Sequence, residues 1–478
     1  MTDTATITEV PLDTLPLDRF DSLIGSEPLK GLQAAAARAA ALMDGRTWWN
    51  LNSTAKGGGV AEMLASLLPY ARGAGIDTRW LVIDAEDDFF TVSKRIHNQL
   101  HGNHGDGQGL GENDRAVYEH AMAYNAPDLS PLIQPGDVVL FHDPQTAGLI
   151  EIAQAAGAAT AWRCHVGADE PNDLARAAWE FLRPYVSAAD RCVFTCKKHV
   201  WEWLADEGVV IMPPSIDAFT AKNQELPDPI ANAILCAAGI IDGNGSNGAR
   251  PEYVNRHGET CVVGRRATMS SGPIPDGPPL VVQVSRWDGL KDPVGVVRGF
   301  AEHVVSESDA HLVLAGPATD AVDDDPEGAE TFDDVTAAWE ALPSDIKSRV
   351  HLVSLPMDDE DENAATVNAL QHRAAVVVQK SLAEGFGLTV AEAMWKRRPV
   401  VASARGGITE QITDDETGVL VHDPEDLAEF ASALRDVLAD PVRAKRLGKA
   451  AHERVCETFL APRELLQHFE LLEQLLAG

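Results

Sequence analysis

The sequence predicts an α/β protein with two Rossmann-like domains facing a central cleft, each a parallel sheet flanked by helices. Two observations predict this class. Short β-branched apolar runs alternate with segments of helical apolar spacing along most of the 478 residues, and glycine-containing loops follow several of the runs. The paired prolines Pro213 and Pro214 then separate two such alternating series. We therefore predict an N-terminal domain over residues 1–214 and a C-terminal domain over residues 215–459.

The first half begins with an Ala-rich helix at 29–43 and a strand at 47–52. Gly57, Gly58 and Gly59 follow, and then a helix whose apolar residues recur at i, i+3, i+4 and i+7. Strand, glycine loop and helix is an arrangement that binds phosphate at the helix N-terminus, although three glycines alone fit a plain tight turn equally well. Further strands are predicted at 80–83, 137–141, 160–165, 192–196 and 209–211, with helices at 94–102 and 179–185.

The stretch over residues 218–279 is rich in Gly, Asn and Pro. We predict one helix there, at 228–238, and otherwise loops without a catalytic role. The second alternating series has strands at 280–285, 311–316, 350–353, 374–379 and 399–402, and helices at 294–304, 390–395, 424–438 and 442–476.

The composition limits the partners. With 39 basic and 73 acidic residues the net charge is −34, which would repel nucleic acid and anionic membranes. No apolar run is long enough to span a membrane and no signal peptide is visible, so we expect a cytoplasmic protein. The 6 cysteines are too few for a disulfide scaffold. An anionic ligand would need a local cluster of positive charge.

Two acidic runs, at 323–325 and 358–362, could be mistaken for metal-binding Asp-x-Asp sites. Neither directly follows a predicted strand, so we interpret both as solvated loops and predict no metal site.

The most informative stretch runs from the strand at 374–379 to the strand at 399–402. Glu384 lies on the loop that leaves the first strand, and Glu392 lies about one turn inside the next helix. Gly385 and Gly387 allow the backbone to approach a ligand, and the amides at 387–389 form a helix N-terminus suited to an anion. The alternative interpretation is that Glu384 is only a turn residue and that Glu392 faces solvent.

Two other candidate groups also follow predicted strands. Arg286 and Lys291 leave the carboxyl end of the strand at 280–285, and both are able to reach a diphosphate. They supply the local positive charge that so acidic a chain requires; scattered surface cations are the alternative. His142 ends the strand at 137–141 in a loop with Pro144 and Gly148, a suitable position for a sugar-binding imidazole or for a structural histidine.

The two glutamates eight residues apart resemble the signature of retaining glycosyltransferases of the GT-B type, the large family that includes sucrose and trehalose-phosphate synthases. The resemblance covers nearly the whole chain, and its most specific parts resemble the trehalose glycosyltransferring synthases. Those parts are the sequences at 48–54 and 57–62, Phe-His-Asp-Pro-Gln at 141–145, Trp-Arg-Cys-His at 162–165, Met-Pro-Pro-Ser-Ile-Asp at 212–217, and 384–395. The chain departs from the compact synthases in a longer stretch at about 235–278.

The resemblance implies retaining transfer of glucose from UDP-glucose or ADP-glucose to free glucose, giving trehalose. It implies that Arg286 and Lys291 stabilise the leaving diphosphate and that Glu384 binds the donor sugar, helped by the backbone amides of Phe386, Gly387 and Leu388. Glu392 would bind the ribose, His142 the donor sugar, and the amides of Gly58 and Gly59 the diphosphate. Asp143, Gln145, Arg163 and His165 would form the acceptor pocket.

It also implies that a C-terminal helix at 460–478 packs back on the N-terminal domain, which would be the acceptor side. No essential cofactor is expected, with Mg²⁺ at most stimulatory. The expected partners are small molecules (nucleoside-diphosphate-glucose, glucose and trehalose), and a homodimer is possible.

Three alternatives stay open. A trehalose phosphorylase of the same family would split trehalose with phosphate. A nucleotide-sugar sensor would bind without turnover, but loss of the cations or of Glu384 would then be expected, and both are present. A GT-B epimerase would need a general base such as His165 and no acceptor.

Overall fold

The computed structural model describes residues 7–56, 58–243, 248–319 and 327–477. By its internal contacts the chain divides into two units. The first unit contains Met1–Ser215, Glu384–Phe386 and Phe459–Gly478, and the second contains Ile216–Ala383 and Gly387–Thr458. Two of the predictions, the glycine at 57 and the acidic run at 323–325, lie outside the described residues.

Each unit has its own seven-stranded sheet. The strands of the first sheet are β1 (Ile7–Val10), β2 (Thr47–Asn52), β3 (Asp77–Ile83), β4 (Val138–His142), β5 (Ala159–Cys164), β6 (Arg191–Phe194) and β7 (Val209–Ile211). A separate hairpin is formed by β8 (Glu252–Val254) and β9 (Thr260–Val262). The second sheet contains β10 (Thr268–Met269), β11 (Leu280–Val284), β12 (His311–Pro317), β13 (Val350–Leu355), β14 (Val376–Gln379), β15 (Val400–Ser403) and β16 (Val419–Val421).

Helices connect most of the strands. Those that precede β8 are α1 (Asp21–Ile24), α2 (Ser26–Leu42), α3 (Gly59–Gly73), α4 (Asp87–Leu100), α5 (Glu112–Leu129), α6 (Ile150–Ala155), α7 (Asp173–Val186) and α8 (Asp228–Ala237). The later helices are α9 (Pro293–His303), α10 (Gly328–Glu340), α11 (Ser344–Lys347), α12 (Glu360–Arg373), α13 (Leu388–Trp395), α14 (Ile408–Gln411), α15 (Leu427–Ala439), α16 (Pro441–Thr458) and α17 (Ala461–Leu476). Short 3-10 helices lie at Leu17–Phe20, Pro144–Leu149, Lys197–His199, Asp206–Gly208 and Gly289–Lys291.

The first sheet reverses its strand order between β2 and β4. Its order is β1-β3-β2-β4-β5-β6-β7, and every pair is parallel except β1 with β3. The chain places β3 on one side of β2 and β4 on the other. Trp49 and Phe141, from the two strands at the reversal, are buried in the core. In open α/β sheets ligands bind at the carboxyl ends of the strands beside such a reversal, so the loops after β2 and β4 are the expected binding edge.

The second sheet has the same feature between β11 and β14. Its order is β10-β13-β12-β11-β14-β15-β16, with β10 antiparallel to β13 and the remaining pairs parallel. The two strands at the reversal are fully buried and mainly apolar, as is typical of strands covered on both faces. Val281 and Val378 belong to the core of this unit. The carboxyl ends of β11 and β14 are therefore its expected binding edge.

The predicted fold class is confirmed, but the prediction of loops at 218–279 is partly wrong. The stretch predicted as loops at 218–279 also contains the hairpin β8–β9 and the edge strand β10. The helical region predicted at 442–476 consists of α16 and α17, and α17 corresponds to the C-terminal helix predicted at 460–478. The two helices are separated at Leu460, whose extended backbone (φ −95°, ψ 152°) no helix continues through. Pro462 then lies in the first turn of α17, where its missing N–H is not needed.

The acidic run at 358–362 is not a solvated loop, as we had predicted, but the start of a helix. Asp359 caps α12, and its side chain accepts from the amides of Asp361 and Glu362. Glu362 is only 5% exposed and accepts from the backbone amides of Gly264 and Arg265 and from the Arg265 guanidinium. The guanidinium groups of Arg265 and of Arg256, which pairs with Glu360 and Asp361, therefore neutralise this cluster.

Candidate active site

The glycine loop after β2 has the predicted geometry. Gly58 caps α3 with an extended backbone (φ −140°, ψ 157°), and Gly59 is the first residue of that helix. A Cβ atom at Gly58 would have no neighbour within 4 Å. Among the described residues, neither the backbone conformation nor local packing therefore requires glycine at position 58. The space that a side chain would fill is open, so a ligand can approach the backbone closely.

Histidines from neighbouring strands form a hydrogen-bonded chain at the same edge. The Nε2 atom of His142 lies 3.2 Å from Oδ1 of Asn50, and its Nδ1 atom lies 3.1 Å from Nε2 of His165. Because the Asn50 oxygen only accepts, the proton of His142 is on Nε2, and His165 then donates from its own Nε2. The sequence analysis identified both histidines but missed Asn50, whose position in a buried strand gave no signal.

Both imidazoles are neutral. Burial, and then the positive charge of Arg163, hold the pKa of His142 well below its ordinary value, and the same two causes act on His165. The pair therefore offers hydrogen bonds to a neutral ligand and does not add positive charge.

Asp143 is held in a strained conformation directly after β4. Its backbone (φ 62°, ψ 178°) lies in a region that glycine alone adopts readily. Its Oδ1 atom accepts from the His165 amide at 2.8 Å, and its carbonyl accepts from Trp162 Nε1 at 2.9 Å. Burial raises the pKa of Asp143 to about 7, although the hydrogen bond from His165 opposes that shift. Gln145 follows in a 3-10 helix and is partly exposed.

Arg163 does not form part of an acceptor pocket, contrary to our prediction. The residue is 0% exposed, and its Nη2 atom donates to Glu464 Oε1 of α17 at 2.6 Å and to the Met212 carbonyl at 3.2 Å. Its Nη1 atom lies 3.1 Å from His468 Nε2. A guanidinium enclosed in this way has no accessible atom to offer a sugar, so Arg163 instead anchors α17 within the first unit.

The second unit carries the predicted cations at the carboxyl end of β11. Arg286 is partly exposed, and its Nη2 atom lies 3.9 Å from Asp288 Oδ2. Lys291 ends a 3-10 helix, and its carbonyl accepts from Gln283 of β11 at 3.0 Å. The Leu382 amide donates to the Leu290 carbonyl at 2.8 Å. This last bond joins the loop after β11 to the loop after β14.

A third cation, Lys380, was missed by the sequence analysis. It directly follows β14, its side chain is 0% exposed, and its ammonium pairs with Asp292. Asp292 also caps α9, accepting from the Gly295 amide at 2.9 Å with a left-handed backbone (φ 47°, ψ 52°). The one available signal was that Lys380 follows a buried strand at the carboxyl edge.

The loop after β14 carries Glu384, which is 8% exposed. A Cβ atom at Gly385 would lie 2.3 Å from the His165 carbonyl oxygen, and both residues belong to the first unit. Glycine is therefore required at 385 by close backbone approach. Gly387 caps α13 with a left-handed backbone (φ 82°, ψ 64°), and Leu388 is the first residue of that helix. Phe386 is buried, with its ring centroid 5.6 Å from that of Phe459.

Glu392 lies on α13 and does not face solvent, because it is only 2% exposed. Its Oε2 atom accepts from Gln371 Nε2 at 3.2 Å, and its Oε1 atom lies 3.7 Å from Lys222 Nζ. The sequence analysis found the glutamate but neither partner, because both are distant in sequence and lie outside the motif.

The second unit thus brings cations and a helix N-terminus to one sheet edge, with the Glu392 carboxylate on the helix that begins there, as an anionic sugar donor would require. In the parts of the chain that the structure describes, no group of three or more His, Cys, Asp or Glu side chains is arranged to hold a metal ion. No helix among the described residues is long and apolar enough to cross a membrane.

Comparison with known proteins identifies the family. A model of the trehalose synthase N-terminal domain matches residues 50–201, and a model of group 1 glycosyl transferases matches residues 264–454. The trehalose synthase of Thermococcus litoralis is 36% identical over 462 residues, which cover 95% of this chain and 96% of that protein. This chain belongs to the trehalose synthase family. As a trehalose synthase family member it is a glycosyltransferase of the GT-B fold, and it acts in trehalose-related glycosyl transfer, as the resemblance predicted.

More distant proteins agree with this assignment. The α,α-trehalose 6-phosphate synthase of Burkholderia multivorans superimposes with a TM-score of 0.65 at 16% identity, over 90% of this chain and 99% of that one. That similarity shows the shared fold. The trehalose phosphorylase of Pleurotus sajor-caju is 25% identical to this trehalose synthase family member. The matched region covers 84% of this chain but only 54% of the phosphorylase. The phosphorylase alternative therefore has the weaker sequence support.

Proposed function

We propose that the chain makes trehalose by transferring glucose from UDP-glucose or ADP-glucose to free glucose, with retention of configuration and in a reversible reaction. One observation carries the proposal. Arg286 and Lys291 follow β11, and the Glu384 loop and the N-terminus of α13 follow the adjacent strand β14, at the reversal of strand order. Positive charge beside a carboxylate suits a diphosphate joined to a neutral sugar.

In the proposed reaction the bond between the anomeric carbon and the diphosphate oxygen breaks, and the diphosphate leaves with the electron pair. The acceptor hydroxyl oxygen bonds the anomeric carbon on the same face, and its proton passes to the departing phosphate oxygen. Arg286, Lys291 and the amides of Gly387 and Leu388 would stabilise the developing negative charge. Glu384 would hold the donor hydroxyls, and the Phe386 amide would assist.

Further roles are proposed for the remaining site residues. Glu392 would bind the ribose hydroxyls, and His142 the donor sugar, as a neutral hydrogen-bonding group. The amides of Gly58 and Gly59 would approach the diphosphate. The acceptor pocket would contain Asp143, Gln145 and His165, without Arg163.

We propose that transfer needs no essential metal, because side-chain cations and helix N-terminal amides already oppose the charge of the diphosphate. Treatment with EDTA should leave most of the activity, and added Mg²⁺ should at most stimulate it. Loss of activity in EDTA that Mg²⁺ restores would overturn this part of the proposal.

The test is a product assay with purified protein. Incubation with UDP-glucose or ADP-glucose and glucose should yield equal amounts of trehalose and nucleoside diphosphate, with the α,α configuration visible by NMR. Trehalose with phosphate should give no glucose 1-phosphate; formation of that product would favour the phosphorylase. Donor binding without any product would favour a sensor, and conversion of the donor sugar in the absence of glucose would favour an epimerase.

A further inference from the structure

The carboxylate of Glu392 has few partners for a buried charge. Within the residues that the structure describes, its partners are the Gln371 amide, at 3.2 Å from Oε2, and the Lys222 ammonium, at 3.7 Å from Oε1. A carboxylate has about four acceptor positions. One hydrogen bond and one ion pair leave acceptor capacity for the hydroxyls of a ligand, and they orient the group through one contact on each oxygen.

A second lysine supports the same helix from its C-terminal end. Lys396 follows α13 and is 8% exposed. Its Nζ atom donates to Asn223 Oδ1 at 3.1 Å and to the carbonyl oxygen of Glu392 at 3.3 Å. Trp395 Nε1 also donates to the Asn223 carbonyl, at 2.8 Å. Adjacent residues, Lys222 and Asn223, therefore contact the carboxylate and the buried ammonium respectively.

The segment that carries Lys222 and Asn223 is itself hydrogen-bonded to α12. Asn368 of that helix donates from Nδ2 to the carbonyl oxygens of Ala221 and Gln224, at 3.0 and 2.9 Å. Gln371, one turn further along α12, reaches Glu392. The carboxylate thus lies where α12, α13 and the 221–224 segment meet, and its position depends on all three.

We infer that Lys222 and Lys396 are positioning residues that hold the Glu392 carboxylate for the ribose of the donor. The inference rests on the proposed function, because it takes Glu392 as the ribose ligand. Lys222 acts on the carboxylate through charge. Lys396 acts through the backbone of Glu392 and through Asn223, and its charge lies at the C-terminal end of α13, where a cation is favourable.

The pH dependence of donor binding gives a readout that a purely structural role would not change. The charged and titratable groups that face Lys396 among the described residues are Glu392 on α13, Lys222 on the neighbouring segment, Arg398 after the helix and His372 on α12. Burial lowers the pKa of Lys396 to about 7, although Glu392 opposes the shift. Deprotonation above that pH removes a cation that supports ionised Glu392. Donor KM should therefore rise between pH 6 and pH 8.5, and Lys396→Arg, which stays charged, should flatten this dependence.

The experiment compares Lys222→Met, Lys396→Met and Lys396→Arg with the wild type, in steady-state assays with UDP-glucose or ADP-glucose and glucose. UDP and ADP binding is also measured by calorimetry, which needs no turnover. Lys449→Met is the matched control, because that lysine side chain is 74% exposed on α16. Thermal unfolding establishes that each variant is folded, and Lys222→Met decides the result if Lys396→Met does not fold.

We expect both methionine variants to raise donor KM and nucleotide Kd about 10-fold. The kcat should change less than about threefold and glucose KM should not change, because the lost interaction stabilises the bound donor equally in the ground state and the transition state. The control should match the wild type. Unchanged donor KM and nucleotide Kd in folded variants would overturn the inference, and so would a fall in kcat alone. If the wild type makes no trehalose, the proposed function fails, and calorimetry still decides whether the lysines support nucleotide binding.

Discussion

Replacing Arg163 by methionine should destabilise the first unit by about 3 kcal/mol. The change leaves Glu464 as a buried carboxylate with Ser215, whose Oγ donates to Oε2 at 2.6 Å, and His468 as neighbours. Burial alone would raise the pKa of Glu464, but the Arg163 charge and a hydrogen bond with His468 outweigh it and lower the pKa to about 2. The lowering of the pKa from 4.5 to about 2, at about 1.4 kcal/mol per pH unit, corresponds to about 3 kcal/mol of folding free energy. This value is similar to the typical cost of breaking a buried ion pair.

The assay is urea unfolding followed by tryptophan fluorescence, in which buried residues such as Trp48 and Trp162 report on the first unit. The control is Arg38→Met, which removes another ion pair to the same helix. Its Nε atom lies 2.9 Å from Glu473 Oε1, but the two side chains are 58% and 30% exposed. An exposed pair of this kind should contribute less than about 1 kcal/mol.

The pH dependence gives a second measurement of the same interaction. Because the folded-state pKa of Glu464 is lowered, its contribution is present above the unfolded-state value of 4.5 and is lost as the pH falls toward about 2. The difference in stability between wild type and Arg163→Met should shrink over that interval. An Arg163→Met protein that unfolds within about 1 kcal/mol of the wild type at pH 7 would refute the reasoning.

Three further predictions concern the site. Lys291→Ala and Glu384→Ala should each lower kcat/KM at least about 100-fold, or roughly 3 kcal/mol, and unchanged kinetics in both would remove the proposed site. Gly58→Ala should leave the melting temperature unchanged, because a Cβ there meets nothing, yet should raise donor KM; an unaffected KM would mean that no ligand approaches this backbone. Asp143→Gly should be about 1 kcal/mol more stable in urea unfolding than Asp143→Ala, because both variants lose the hydrogen bond from the His165 amide but only glycine relieves the backbone strain, and both should lower activity; a glycine variant no more stable than the alanine variant would contradict the strained conformation.

Sequence predicted the parts of the fold that depend on local pattern. Short runs of mainly apolar residues identified strands such as β11 and β14, and glycines identified loops such as those after β2 and β14. The hairpin β8–β9 escaped because its strands are three residues each, in a stretch dominated by turn-forming residues.

The candidate site also has some features that local sequence predicts and others that only the folded chain creates. The structure places His142, Arg286 and Glu384 at or just after the carboxyl ends of strands, where the sequence predicted them. Arg163 was assigned a wrong role because a strand residue near a predicted site has no sequence feature that tells which way its side chain points. Lys222 was missed because its relation to Glu392 exists only in three dimensions, across 170 residues of chain.

The anchoring of α17 has a consequence for how the protein is made. Arg163 and Glu464 are 301 residues apart in the chain. At about 5–20 residues per second, a ribosome needs roughly 15–60 seconds to make the intervening polypeptide. During that time the guanidinium of the nascent chain has no carboxylate to pair with, and the first unit cannot reach its final packing. The half that is translated first therefore cannot complete its packing until α17 has been made.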